Sequence, residues 1–165
     1  RRRVTPSIIP SPLRSFPAAS GFERPRNVNT FLHIADQFTQ EPSGKWTVRG
    51  LYPDATMVVM VPESHAKDPG APPLAIDALT CALTVSDLAA GKHRFKGRMY
   101  DPKGLLNTET PDIDFDIPAP TNQTFPFQVK PFVITGGAGI YVWNFELDGK
   151  AFTHSFEVRL SPESA

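Results

Sequence analysis

Proline limits what this chain can fold into, because it is frequent and spread over the whole length. The 165 residues include 18 prolines, which is about twice the usual proportion of ~5%. Each proline removes a backbone hydrogen-bond donor and ends or bends a helix. Long helices are therefore disfavoured, and short strands joined by loops are favoured. A chain of this length suits one domain with an extension, and we expect that domain to be all-β.

Alternation of apolar and polar residues indicates most of the strands. Turn-forming sequences separate them, notably at 41–44 and 100–104, and residues 86–92 favour a single helical turn. We predict an antiparallel, immunoglobulin-like β-sandwich with about eight or nine strands. The predicted strands cover residues 28–35, 45–52, 56–61, 75–86, 92–100, 112–117, 124–134, 140–147 and 150–160. The longest predicted loops are 62–73 and 101–111.

Some of these strands can be assigned a position in the sandwich. Asp148 and Gly149, between two alternating runs, are typical of a β-hairpin turn. The apolar run 56–61 predicts a strand buried on both faces, whereas the prolines within 124–134 predict an edge or bulged strand. The core face of the first hairpin strand is predicted to consist of Tyr141, Trp143, Phe145 and Leu147.

The first 26 residues form a segment that we call the basic arm. It holds six arginines, five prolines and one acid, for a net charge of +5, and the rest of the chain has a net charge of −5. The arm cannot bury a core of its own, so we expect it to lie on another surface whose contacts offset an ordering entropy of about 1–2 kcal/mol per residue. The predicted organisation is the basic arm (1–26), a sandwich domain (27–160) and a C-terminal tail (161–165). The candidate contact residues of the arm are Arg1, Arg2, Arg3, Ile8, Ile9, Leu13, Arg14, Phe16, Phe22, Arg24 and Arg26.

Two charged rows are predicted on strand faces, where side chains two residues apart point the same way. The basic row is Lys92, Arg94, Lys96 and Arg98, and the acidic row is Asp112, Asp114 and Asp116. For the acidic row, the alternatives are a solvated strand face, a site for a hard cation such as Ca²⁺, and a contact with a basic partner. Pairing of the two rows across strands is a structural alternative. Because the body is net acidic, we expect no direct recognition of nucleic-acid bases.

No sequence motif supplies catalytic chemistry. No serine lies in a nucleophile elbow and no phosphate-binding loop occurs. The four histidines, His33, His65, His93 and His154, lack metal-ligand spacing and are interpreted as structural. Cys81 is the one cysteine; it excludes an intramolecular disulfide and is expected to be buried. We predict a protein that is not an enzyme and uses no metal or cofactor.

The sequence gives a coarse expectation about location. No apolar run approaches the ~18 residues of a membrane span, so no membrane partner is expected. The basic start is followed by prolines rather than by an apolar stretch, so we expect no secretory signal. A virion or the cytoplasm is expected, with an organelle as the alternative because the start is rich in arginine and serine.

Four segments of the body resemble a family of small β-sandwich domains of unknown function from bacteria and phages. They are HIADQ (33–37), GKWTVRGLYPD (44–54), AGKHRFKGRMYDPKG (90–104) and YVWNFELDGKAF (141–152). The resemblance covers most of 29–159 and implies a β-sandwich without catalytic residues to transfer. The basic arm and residues 62–73 go beyond the family, so both are candidates for a role peculiar to this protein.

Together these features predict a structural or interaction subunit of a large assembly, bound through the basic arm to other protein subunits or to copies of itself. A phage virion component, such as a capsid decoration or tail-associated protein, is the first hypothesis. The alternatives are an accessory subunit of an organellar or ribosomal complex, with nucleic acid reached only through the arm arginines, and a sandwich that binds a ligand or carbohydrate.

Overall fold

The computed structural model describes residues 28–63 and 72–163. They form a β-sandwich, so the predicted fold class is confirmed. A short 3-10 turn lies at Pro53–Ala55. The strands are β1 Thr30–Gln40, β2 Trp46–Leu51, β3 Thr56–Val61, β4 Leu74–Ile76, β5 Leu79–Leu88, β6 Gly91–Tyr100, β7 Leu106–Glu109, β8 Ile113–Ile117, β9 Thr121–Val129, β10 Phe132–Ile134, β11 Gly139–Leu147 and β12 Lys150–Pro162. The basic arm lies outside the described residues.

Two large sheets form the layers of the sandwich. The four-stranded sheet has the order β2-β1-β5-β9, and the larger sheet has the order β3-β12-β11-β6-β7, with β8 also paired to β6. Strands β10 and β4 form a separate two-stranded sheet. Strand β12 pairs with β3 in parallel, and every other pairing within the described residues is antiparallel.

Aromatic side chains fill the space between the two large sheets. The predicted core face of β11 is buried, with exposed fractions of 0–4% for Tyr141, Trp143, Phe145 and Leu147. From the opposite sheet, Phe127 packs edge-on against Trp143 with ring centroids 4.9 Å apart. Phe95 of β6 stacks on Phe125 of β9 at 5.2 Å. Such ring pairs add to the free energy of burial, and they hold the two sheets together.

The structure shows where two strands with a predicted position lie in their sheets. Residues 56–61 were predicted to be buried on both faces, and this is wrong because β3 is the last strand of its sheet. Val58 and Met60 are each 51% exposed, whereas Met57 and Val61 face the core. The predicted edge position is confirmed for β9, which borders the four-stranded sheet. The predicted single strand 124–134 is nevertheless divided, because Phe132–Ile134 form β10 in the two-stranded sheet.

The predicted helical turn at 86–92 is also wrong. Strand β5 continues to Leu88, and β6 begins at Gly91. The pairing of β5 with β9 shifts between Val85 and Leu88, where Asp87 has a positive φ of 55°. The amide of Asp87 donates to the side-chain oxygen of Asn122. A β-bulge therefore gives the Asp87 amide a hydrogen-bond acceptor, in a segment whose local sequence favoured a helical turn.

Several further strand boundaries differ from the prediction. The predicted strand 75–86 is divided between β4, Leu74–Ile76, and β5, Leu79–Leu88, and β1 continues to Gln40 although the predicted strand ended at residue 35. Strand β7 lies within the stretch 101–111, which was predicted to be a loop. Strand β12 continues to Pro162, so Ser161 and Pro162 pair with β3 although the tail was predicted to start at residue 161.

Asp101 joins two loops at one end of the sandwich. The amide of Gly104 donates to its carbonyl at 2.9 Å in the turn between β6 and β7. Its Oδ1 accepts from the amides of Lys103 and Leu105, both at 2.9 Å, and its Oδ2 accepts from the Thr135 hydroxyl at 3.0 Å. Burial raises the pKa of Asp101, but these hydrogen bonds outweigh it and hold the pKa below its ordinary value.

Candidate functional site

The two large sheets present very different outer faces, and we examine them in turn. The outer face of the larger sheet, which we call the charged face, contains the predicted basic and acidic rows. Strand β8 runs beside β6, so that Arg94 lies opposite Asp114 and Lys92 lies opposite Asp116. The structure thus brings the two rows together, as the structural alternative predicted.

Ion pairs on the charged face follow this register. Arg94 donates to both carboxylate oxygens of Asp114, at 2.8 and 3.2 Å. Lys96 pairs with Asp112 at 3.1 Å, and Arg98 pairs with Glu109 of β7 at 3.3 Å.

These pairs neutralise the face without stabilising it strongly. The side chains of Arg94 and Asp114 are 67% and 69% exposed, and exposed ion pairs typically contribute only about 0–1 kcal/mol. Hydrogen bonding by Arg94 holds the pKa of Asp114 below its ordinary value. The charged face therefore offers a partner few charges that lack an opposite charge.

A cleft of about 580 Å³ opens at one end of the charged face. In it, His93 Nδ1 lies 2.7 Å from Asp148 Oδ2, and Nε2 lies 2.9 Å from the Ala89 carbonyl. The Arg94 amide donates to Asp148 Oδ1 at 2.8 Å. We call this the histidine cleft, and it is lined by Lys92, His93, Arg94, Asp114, Phe115, Asp116 and Asp148.

Both ring nitrogens of His93 face acceptor oxygens, so both can donate only when the ring is protonated. Burial lowers the pKa of His93, but the hydrogen bonds to Asp148 and Ala89 and the charges of Asp148 and Asp116 outweigh it and raise the pKa. The residues lining the cleft include no Ser, Thr or Cys that could act as a nucleophile. The geometry therefore fits a structural ion pair that joins β6 to the β11–β12 turn.

The outer face of the four-stranded sheet carries exposed apolar side chains together with uncharged polar ones. Phe31, Val48 and Leu51 are 57%, 41% and 54% exposed on it or at its edge. A groove of about 250 Å³, which we call the aromatic groove, lies on this side. It is lined by His33, Phe38, Trp46, Val48, Leu51, Ala82, Thr84 and Thr124, and none of these is Asp, Glu, Lys or Arg.

A second groove adjoins the aromatic groove and extends it. This amide groove has a volume of about 430 Å³ and shares Trp46 and Thr124 with the first. Its other lining residues are Gln40, Gly44, Asn122, Gln123 and Pro126. The two grooves therefore share part of their walls, and the lining is aromatic in the first and rich in amide groups in the second. The alternation of Trp46 and Val48 was visible in the sequence, but the two grooves were not predicted.

The other candidate residues are structural or lie outside the described residues. Cys81 is fully buried as predicted, and burial raises the pKa of its thiol to about 12. His154 Nε2 bonds with the Thr30 hydroxyl at 2.8 Å, and burial lowers the pKa of His154. His65 lies outside the described residues, as do the candidate residues of the arm, Arg1, Arg2, Arg3, Ile8, Ile9, Leu13, Arg14, Phe16, Phe22, Arg24 and Arg26.

The described part of the chain was also searched for metal and membrane features. Within residues 28–63 and 72–163, no group of three or more His, Cys, Asp or Glu side chains is placed to hold a metal ion. No helix in these same ranges is long and apolar enough to cross a membrane.

Neither a scan with protein-family models nor a search of curated proteins finds a match to this chain. The resemblance to small bacterial and phage β-sandwich domains therefore stays a prediction.

Proposed function

We propose that this protein is a non-enzymatic structural or interaction subunit of a larger assembly and is attached to it through its basic arm. The separation of charge between the arm and the body carries the proposal. The arm has a net charge of +5 and the rest of the chain −5, while Arg94, Lys96 and Arg98 of the charged face already pair with acids. The arm arginines are thus the largest group of like charges in the sequence that is concentrated in one segment.

A phage virion is the setting that we favour, with the protein as a capsid decoration or tail-associated component. Many identical copies make a weak contact per subunit effective, because each additional contact becomes intramolecular once the first has formed. Arms that extend from a compact domain suit such symmetric particles. The sequence resemblance to small domains of bacteria and phages supports this choice.

The experiment that tests the proposal compares the mass of the full chain with that of a chain lacking residues 1–26, by light scattering over a range of concentrations. We expect the full chain to associate and the shortened chain to remain a folded monomer. The core side chains that the structure describes lie within residues 28–160, so the thermal transition should change little. A full chain in which the arm arginines are replaced by glutamine is the matched control for charge. Monomers in every case would refute the proposal.

A subunit of a ribosomal or organellar complex is the second candidate, because six arginines in one segment can contact phosphates. Binding through phosphates weakens steeply with salt, since each contact releases counterions. A titration of the full chain with structured RNA at several salt concentrations distinguishes the two. Tight, steeply salt-dependent binding that is lost with the arm would favour this candidate over the virion.

A further inference from the structure

The aromatic and amide grooves have the chemistry of a site for an extended, proline-rich peptide. Proline-rich segments bind in grooves lined by aromatic rings, where they keep a preformed extended conformation. Trp46 and Phe38 supply the rings of the aromatic groove, and Gln40 and Asn122 supply side-chain amides in the adjoining groove. Such amides can bond to the carbonyl groups that an extended peptide leaves unpaired. Two adjoining grooves with different linings suit a peptide of several residues better than a compact ligand.

The chain itself contains a segment that matches this site. Residues 6–13 read PSIIPSPL and combine three prolines with Ile8, Ile9 and Leu13. Their prolines fix φ in advance, so less backbone entropy is lost when the segment binds. Apart from residues 1–27, the residues outside the described part are 64–71, which contain no Val, Ile, Leu, Phe, Tyr or Trp, and 164–165.

The arm is attached close enough to the grooves for the segment to reach them from the same chain. Thr30 pairs with Val85 and Val85 pairs with Gln123, so the start of β1 lies only two strand spacings, about 10 Å, from the amide groove. Residues 14–27 can span up to ~45 Å at about 3.3 Å per residue. A segment tethered this closely has an effective concentration on the order of millimolar, which favours it over a second copy in dilute solution.

We propose that residues 6–13 bind in the aromatic and amide grooves of their own chain. The arginines on either side of the segment, Arg1–Arg3 and Arg14, then lie at the two ends of the grooves and are held in place for a partner. The proposal that the segment binds rests on the residues that line the grooves and on the length of chain between the segment and β1. Only the role given to the arginines rests on the proposed function.

Photo-crosslinking of the full-length chain tests the proposal. The photoreactive amino acid p-benzoylphenylalanine replaces Leu13, and mass spectrometry identifies the residues with which it reacts and the mass of the product. We expect products of monomer mass, with crosslinks within residues 38–51 or 121–126. Val48→Glu, in the aromatic groove, should cause the loss of these products. Val58→Glu is the matched control, because Val58 lies on the other sheet and is similarly exposed, at 51% against 41% for Val48.

Acrylamide quenching provides a second measurement that does not alter the sandwich. Trp143 is 1% exposed, so the quenchable emission comes from Trp46. Ile9→Glu lies in the arm and changes none of the core residues that the structure describes, and it should increase quenching relative to the unmodified full chain. Crosslinks at other sites, crosslinks of dimer mass only, or quenching that does not respond to Ile9→Glu would each overturn the proposal.

Variants of the same photoreactive protein test this inference and the proposed function separately. If Arg1–Arg3 are replaced by glutamine, the crosslinks should persist while association with other subunits is lost. Crosslinks that follow the prediction in a protein that never associates would support the groove inference and refute the proposed function. Association that needs the arm, but no crosslink to the groove, would overturn the inference alone.

Discussion

Removal of the Asp101 side chain should destabilise the protein, because this carboxylate joins two turns at one end of the sandwich. Asp101 is 3% exposed, and three protein donors point at its carboxylate. With Asp101→Ala, the amides of Lys103 and Leu105 and the hydroxyl of Thr135 lose their acceptors. At about 1 kcal/mol for each net hydrogen bond, we expect the free energy of unfolding to fall by about 3 kcal/mol.

Asp101→Asn removes the charge of the side chain but keeps its shape. The asparagine oxygen can still accept from the amides of Lys103 and Leu105, but its NH₂ group replaces the oxygen that accepts from Thr135. We therefore expect a smaller loss, about 1–2 kcal/mol. The pKa of Asp101 is lowered by folding, so its carboxylate stabilises the native state above its unfolded pKa, and this contribution is lost as the pH falls through the folded pKa. The difference between wild type and Asp101→Asn should shrink between pH ~5 and pH ~2.

Urea denaturation followed by tryptophan fluorescence measures these effects, because Trp143 lies in the core. With a urea m-value of ~2 kcal/mol per M, Asp101→Ala should lower the midpoint by about 1.5 M. Asp77→Ala, at an exposed aspartate between β4 and β5, is the control and should change little. The reasoning is refuted if Asp101→Ala matches Asp77→Ala, or if Asp101→Asn costs as much as Asp101→Ala.

Three further predictions concern the core and the histidine cleft. Gly97→Ala would place a Cβ 2.9 Å from ring atoms of Phe145, so we expect a loss of about 1–3 kcal/mol in thermal or urea unfolding, with part of it recovered when Phe145→Leu is added. The pKa of His93 is raised, so its protonated form stabilises the fold below its unfolded pKa and that contribution is lost as the pH rises through the folded pKa. Asp148→Asn should therefore destabilise most at pH ~6, and an NMR titration of His93 with a midpoint at or below ~6.5 would contradict this. The Cys81 thiol, with its pKa raised to about 12, should not react with a thiol reagent at pH ~8 until urea unfolds the chain; rapid reaction of the native protein would show that the site opens.

Local patterns predicted the parts of the fold whose causes are local. The Asp148–Gly149 turn was predictable because Asp148 and Gly149 adopt the positive φ angles of 51° and 78° that a two-residue hairpin requires. Period-2 alternation then placed Trp143 and its neighbours in the core. The position of β3 was not predictable in this way, because an apolar run reads the same in a central strand and in an edge strand. Only the long-range parallel pairing with β12 decides which it is.

The surface contacts also divide into those that a local pattern could predict and those that depend on long-range pairing. Pairing of Arg94 with Asp114 could be suggested from sequence, since two strands with opposite charges at period 2 match when they are neighbours. The contact between His93 and Asp148 could not, because the two residues are 55 positions apart and no local signal connects them. The aromatic groove combines β1, β2, β5 and β9, so its lining depends on sheet order rather than on any one segment.

The contrast between the two outer faces determines where a binding partner gains free energy. On the charged face, an arriving arginine must displace Arg94 or Lys96 from an acid that is already paired, so the gain is offset by the pair that is broken. The outer face of the four-stranded sheet has no such competition. Burial of its apolar side chains contributes about 25 cal/mol per Å² and leaves no charge unpaired. This difference supports the proposal that residues 6–13 of the arm bind in the aromatic groove through their apolar side chains, which would leave the arm arginines available for acidic surfaces of a partner.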